Sequence, residues 1–511
     1  MQRKNPLTDL CAYLLNARQV LSSGETDEES KQGMISGILE EIEGKELDLA
    51  CDQRGSKHIQ NLLSLVGAEQ SAELLVRILR GGIDALCNQY ASHVIQKGTS
   101  RLVSDPSPAV VQELLALLKT DLENLIYHHS ATHVIRTFIL VCGGFTGLQP
   151  GRQQHIALPE NATGSPDMDT LTALSELFVP LFDETPVKLF SHAQASPTAQ
   201  ILLLVLARHL PDSVGPIISG LADSVETLVA DAVGSHSVEC LIKVAAACNR
   251  KAYRKLTAAA MAASSTSRFA GFAVQTAITE AKEEKDLLNI LKHAVSGSTD
   301  SHVLPLLQRL ATAAEPHPEL QKKVMARLVD FFPAPIVPRL LCSSDWEGLT
   351  RPSAAGALLL STLLKFDRSL IEPIVSDVPE IAKHIAWFTT HKPSMRFLET
   401  LLQSKLESAD TLVEALIPLL PQLAIDMQNG GSWLVAATFH GASANGKRKL
   451  NEALVTIEGL RDINFRLWRI CGLNSFKHQP EEWKQNLQKQ SKTQALFEDI
   501  LAPKRRKNND A

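Results

Sequence analysis

The 511-residue chain is 44% apolar, 21% charged and only 5% aromatic, so it can bury a long core built mainly from Leu, Ala and Ile, residues suited to helices. A net charge of −5 excludes a uniformly basic nucleic-acid binder, and any such site must gather its cations on one face. No apolar run reaches the roughly 18 residues that a membrane helix needs, and no signal-type segment follows Met1.

In chain order, residues 5–21 read as a helix with Leu7, Leu10, Leu14 and Val20 among its apolar positions. An acidic link at 22–32 follows, then a helix at 33–43. From there the sequence repeats itself. Arg54-Gly55-Ser56-Lys57-His58-Ile59-Gln60 is echoed by Gln89-Tyr90-Ala91-Ser92-His93-Val94-Ile95-Gln96-Lys97 and by Ser130-Ala131-Thr132-His133-Val134-Ile135-Arg136. Further copies are Ala195-Ser196-Pro197-Thr198-Ala199-Gln200, Gly234-Ser235-His236-Ser237-Val238-Glu239 and Phe269-Ala270-Gly271-Phe272-Ala273-Val274-Gln275. Their last positions are 36, 40, 64, 39 and 36 residues apart. Each copy has a small residue, a hydroxylic or small residue (i), a flat or cationic side chain (i+1) and Gln, Glu or Arg (i+4). On a helix, i and i+4 share a face and i+1 lies about 100° around.

A period in the high thirties holds two or three short helices and is a solenoid period. Within each unit an amphipathic helix, such as 70–80 with Leu74, Leu75, Ile78 and Leu79, precedes a turn and a motif-bearing helix. The 64-residue spacing holds a Gly- and Pro-rich insert at 143–169, read as flexible and too polar and broken to pack. Its Asn161-Ala162-Thr163 sequon is read as loop. Weaker copies continue as Ser301-His302-Val303-Leu304 and Ala355-Gly356-Ala357-Leu358-Leu359-Leu360, the latter with Gly356, Ala357 and Leu360 at i, i+1 and i+4. A degenerate unit is placed at 287–341, with a turn or kink in Phe331–Pro338. Ser394-Met395-Arg396-Phe397-Leu398-Glu399 and Gly431-Ser432-Trp433-Leu434-Val435-Ala436 are clearer. The polar tail ends in Lys504, Arg505, Arg506 and Lys507, a pattern that reads as nuclear import.

The recurrent motif resembles the RNA-reading helix of Pumilio (PUF) repeats. The number and raggedness of the copies are most similar to the nucleolar protein nine type of Pumilio-like ribosome biogenesis factors. The resemblance implies an all-α solenoid of about ten to eleven Pumilio-like repeats, several degenerate and C- or U-shaped. N-terminal helix and linker would span 1–32, the array 33–475 and the tail 476–511. It also implies base-edge pairs Ser56/Gln60, Ser92/Gln96, Thr132/Arg136, Ser196/Gln200, Ser235/Glu239 and Gly271/Gln275, with Glu399 at an edge position. Stacking residues would be Lys57, His93, His133, His236, Phe272, Arg396 and Trp433. The implied role is binding of single-stranded or structured pre-ribosomal RNA in small-subunit (18S) rRNA maturation, without catalysis, in the nucleolus. Pre-ribosomal particle proteins would be partners, the chain would be a monomer, and no membrane would be involved. Pro197 replaces a stacker, and the copies at Gly356 and Ala436 offer no edge groups, so reading there falls to shape and phosphate contacts. A HEAT- or armadillo-like protein scaffold and a cytoplasmic Pumilio-type mRNA regulator are the alternatives.

Other patterns carry less. The eight cysteines are dispersed without CxxC and read as small buried residues. Gly441–Lys447 copies GxxxxGK, but Arg448 stands where a phosphate loop needs Ser or Thr. His129 and His133 share a helix face but lack a third metal ligand. Neither an enzyme nor a cofactor is expected.

Overall fold

The computed structural model describes residues 6–22, 27–148, 156–264, 267, 269–294, 303–404 and 409–489. Every regular element among them is helical, and the chain forms two compact units, Met1–Lys282 and Glu283–Ala511. Lys504 to Lys507 lie outside the described residues, as do Ser301 and His302.

In the first unit the expected N-terminal helix spans Pro6–Ser22. The next begins earlier than expected, at Glu28, inside the proposed acidic link. Asp27 caps it, its carboxylate accepting from the Ser30 amide at 2.8 Å. A repeating order follows: a long amphipathic helix, a short helix, then the motif helix. The second repeat shows why. Ala68–Leu79 buries Ser71, Leu74, Leu75, Ile78 and Leu79, one face at helical spacing. Gly82, at φ +69°, makes the turn into the short helix Gly82–Cys87, and the motif helix is Ala91–Ser100. Before the third motif, the helix Pro108–Leu125 kinks at Asp121 and its last turn takes the place of the short helix.

Six motif helices stack in this unit: Gly55–Leu65, Ala91–Ser100, Ala131–Cys142, Ala195–His209, Ala232–Cys248 and Ala270–Glu280. Each packs against the next. In the second unit Val303–Ala314, Ala354–Leu363, Lys392–Gln403 and Gly431–Gly441 stack in the same way. The motif begins within the first turn of each helix in the first unit.

Both constant features of the motif have structural causes. The small residue before position i presses against the backbone of the short helix. A Cβ built on Gly234 would stand 2.5 Å from the Leu228 carbonyl oxygen, and on Gly431 2.8 Å from that of Leu423. Gly55 meets Leu49, and Gly356 meets Leu340, in the same way. This contact corrects the register of the eighth copy. Gly356 is the small residue, so position i is Ala357, i+1 is Leu358 (55% exposed) and i+4 is Ser361.

The second feature is a capping side chain four residues before position i. Asp52 accepts from the amides of Arg54 and Gly55, both at 2.8 Å, and Asn88 from those of Tyr90 and Ala91 at 2.8 and 3.0 Å. Asp231 does the same for Val233 and Gly234. His128 and His192 use Nδ1 as the acceptor, and Ser267 its hydroxyl.

The insert at 143–169 contradicts the expectation that it cannot pack. Its described residues hold no helix before Met168, yet both its ends are anchored. Phe145 is 1% exposed and lies beside His209, with the Arg208 guanidinium 5.3 Å from its ring centroid. Thr163 and Gly164 donate to the Gly144 carbonyl, and Arg208 donates to the carbonyls of Pro159 and Glu160. One buried aromatic ring and an arginine supply the packing that the Gly/Pro count concealed.

Candidate nucleic-acid interface

The i+1 positions point outward. Lys57, His93, Phe272, Arg396 and Trp433 are exposed, while His133 and His236 are half-buried. In the first three copies these side chains meet in a groove of about 380 Å³, lined by Ser56, Lys57, Gln60, Ser92, His93 and His133. Gln53, Gln89, Tyr90, His129 and Ser130 complete it. Gln53, Gln89 and His129 each stand three residues before position i, a column visible in the spacing but not singled out from sequence. His129 and His133 meet edge to face, 5.6 Å between centroids. Burial first, then the charges of Arg136, His129 and His93, hold His133 below its ordinary 6.5.

The hydroxyls at position i are turned inward. Ser56, Ser92, Thr132 and Ser235 are 0–3% exposed and donate to the carbonyl three residues back, at 3.3, 3.3, 3.0 and 3.0 Å. In the sixth copy Gly271 faces open space.

Position i+4 divides the copies. The side-chain amides of Gln60, Gln96 and Gln275 make no hydrogen bond among the described residues, and Gln96 Nε2 is buried without a partner. Arg136, Gln200 and Glu239 instead reach the next motif helix. Arg136 Nε donates to Thr198 Oγ1 at 3.0 Å and Nη2 to the Gln194 carbonyl at 2.9 Å, and burial lowers its pKa. Gln200 Nε2 donates to Ser196 at 2.9 Å and Ser237 at 3.3 Å, two hydroxyls themselves 2.7 Å apart. The Glu239 carboxylate accepts from Thr276 and pairs with His236 Nδ1, both at 3.1 Å. Glu399, in the second unit, has its pKa raised by burial against the opposing effect of Arg396.

The cause is legible in the next copy. Thr198 and Ser237 occupy position i+2 and accept from the preceding repeat. Val94 and Val134 occupy i+2 in the second and third copies and cannot. The Gln60 and Gln96 amides therefore stay unpaired by the next copy.

The eight cysteines are free thiols with pKa values raised by burial, to about 12 at Cys240 and Cys471, so they are poor nucleophiles. Among the described residues no cluster of His, Cys, Asp or Glu could hold a metal. Ser443 in the GxxxxGK sequence caps the helix Ala444–Leu454, so this stretch is a helix–turn–helix corner. No helix of the described residues is long and apolar enough to cross a membrane.

A family profile described as NOP9-like PUF repeat domain matches residues 219–459. Over that stretch, just under half of the chain, the protein is similar to NOP9-like Pumilio repeats. It is 25% identical over 319 residues to Nucleolar protein 9 of Yarrowia lipolytica, covering 52% of this chain and 44% of that protein. It is 27% identical over 157 residues to Nucleolar protein 9 of Komagataella phaffii, covering 26% and 24%. The matches thus span less than half the length of these relatives. Among solved structures, APUM23-GGAGUUGACGG aligns over 94% of this chain and 99% of that one, with TM-score 0.69 at 17% identity. PUF-8 in complex with PBE-RNA aligns over 72% and 94%, with TM-score 0.51 at 11% identity. These two likenesses concern the fold alone, an all-α solenoid.

Proposed function

We propose that this chain is a non-catalytic RNA-binding factor of ribosome biogenesis, binding pre-ribosomal RNA in small-subunit (18S) maturation and residing in the nucleolus. The observation that carries the reading is the groove shared by the first three motifs. Lys57, His93 and His133 bring a cation and two flat rings to one surface, with Gln60 among the lining residues and the neighbouring Gln96 amide unpaired. Rings stack bases, amides read their edges, and the lysine meets phosphate. The names of the curated relatives support the nucleolar setting, and solved relatives such as PUF-8 with PBE-RNA support the ligand class. Lys504 to Lys507 would serve nuclear import.

The test compares the full chain with a His93→Ala/Gln96→Ala/His133→Ala variant, using pools of short single-stranded RNAs and DNAs at two salt concentrations. Each stacked base is worth about 1–3 kcal/mol, so the variant should lose about 30-fold or more in RNA affinity. Wild-type binding should prefer RNA over DNA and weaken with salt. A folded wild type that binds no RNA refutes the proposal and leaves a protein scaffold as the better reading.

A further inference from the structure

The last of the four motif helices in the second unit, Gly431–Gly441, presents Trp433, 51% exposed. Its ring is not bare. The Arg466 guanidinium, from the short helix Phe465–Ile470, lies 4.2 Å from the ring centroid. Phe465, the residue before it, is 60% exposed, and Ile463 47%. Arg461, Arg466 and Arg469 are all exposed, and none has an ion-pair or hydrogen-bond partner for its guanidinium among the described residues. Three other cations of this unit are paired: Lys449 with Glu414, Arg448 with Glu452, and Lys484 with Glu481. From Leu460 to Ile470 there are three arginines and one carboxylate, Asp462, in a chain of net charge −5. This segment thus carries an excess of unpaired guanidinium beside exposed rings.

The chemistry narrows the ligand. An apolar protein surface seated here would bury three guanidiniums without counter-charge, a costly arrangement. An acidic partner would satisfy the charges but leave the ring faces without a stack. A single-stranded nucleic acid supplies both, because bases stack on aromatic faces and guanidinium planes while arginine forks bind phosphate.

We propose that Trp433, Phe465, Arg466 and Arg469 form a second RNA contact, distinct from the groove of the first three motifs. A base stacks on the Arg466–Trp433 pair or on Phe465, and Arg469 holds a flanking phosphate. This inference rests on the reading that the chain binds RNA.

The experiment measures binding of a mixed-sequence single-stranded RNA to the full chain and to Phe465→Leu/Arg466→Ala/Arg469→Ala, with ultraviolet crosslinking of the wild type. These side chains are exposed, so the melting temperature should hold and report that the variant folds. Expected are a loss of about 5- to 50-fold in affinity, a shallower salt dependence, and crosslinks within residues 431–441 or 460–470. Arg466→Lys keeps the charge but not the plane, and should lose affinity with the salt dependence unchanged. Wild-type binding matched by the triple variant, without crosslinks there, overturns this contact, leaves the first groove standing and marks the patch as a protein surface. Absence of RNA binding by the wild type removes both.

Discussion

The first two motif copies and the three after them share one set of sequence offsets and use it differently. In copies one and two, Gln60 and Gln96 have no internal partner. In copies three to five, Arg136, Gln200 and Glu239 are bound to the neighbouring helix. A polar side chain at i+4 can serve a ligand or the adjacent repeat. For Arg136 and Gln200 the partner is the residue at i+2 of the following copy, and for Glu239 it is Thr276 at i+5.

Glu239→Ala should expose the difference most clearly. It strips the acceptor from the buried Thr276 hydroxyl and should destabilise the fold by about 1–3 kcal/mol. Thermal unfolding would register this, whereas Gln60→Ala should leave the melting temperature unchanged and weaken RNA binding. Equal destabilisation by the two would erase the distinction.

A smaller effect comes from converting one class into the other. Val134→Thr places a hydroxyl where the Gln96 amide can donate to it. RNA affinity should fall by about 2- to 10-fold, the worth of one net hydrogen bond. Titration of the same RNA against both proteins checks this, and unchanged affinity would show that Gln96 does not serve the ligand.

The mildest expectation concerns pH. His133 has a folded-state pKa below 6.5, so the stability it contributes is complete above pH 6.5 and is lost as pH falls from there through the folded value. An RNA phosphate nearby favours the proton instead. Between pH 7.5 and 6, RNA affinity should therefore rise modestly while the melting temperature of the free protein drifts down. In His133→Ala both trends should flatten.

Much of this was visible in the sequence. The period located the motif helices, because the small residue and position i are fixed by packing that every repeat shares. The ligand-facing part was harder to read. Ser196 to Gln200 matches Ser92 to Gln96 in spacing, yet one pair is sealed in a hydroxyl network and the other leaves its amide free, a tertiary outcome set by Ser237 and Val134 one period away. The register at Gly356 failed for a related reason, since the copy lacks polar markers and only the close approach to the Leu340 backbone fixes it. Phe145 escaped notice as a single ring in a stretch dominated by glycine and proline.

The capping column has a consequence for how the backbone of a nucleic acid can be held. Helix starts are natural anion sites because their first amides lack partners. Here Asp52 occupies those of Arg54 and Gly55, while Ser56 and Lys57 donate to the carbonyls of Asp52 and Arg54; the helix that begins at Ala91 is closed in the same manner. The positive poles of these helices are thus insulated. Phosphates must be met by side chains such as Lys57 and Lys97, whose removal costs no fold, so grip on the strand can be tuned one lysine at a time.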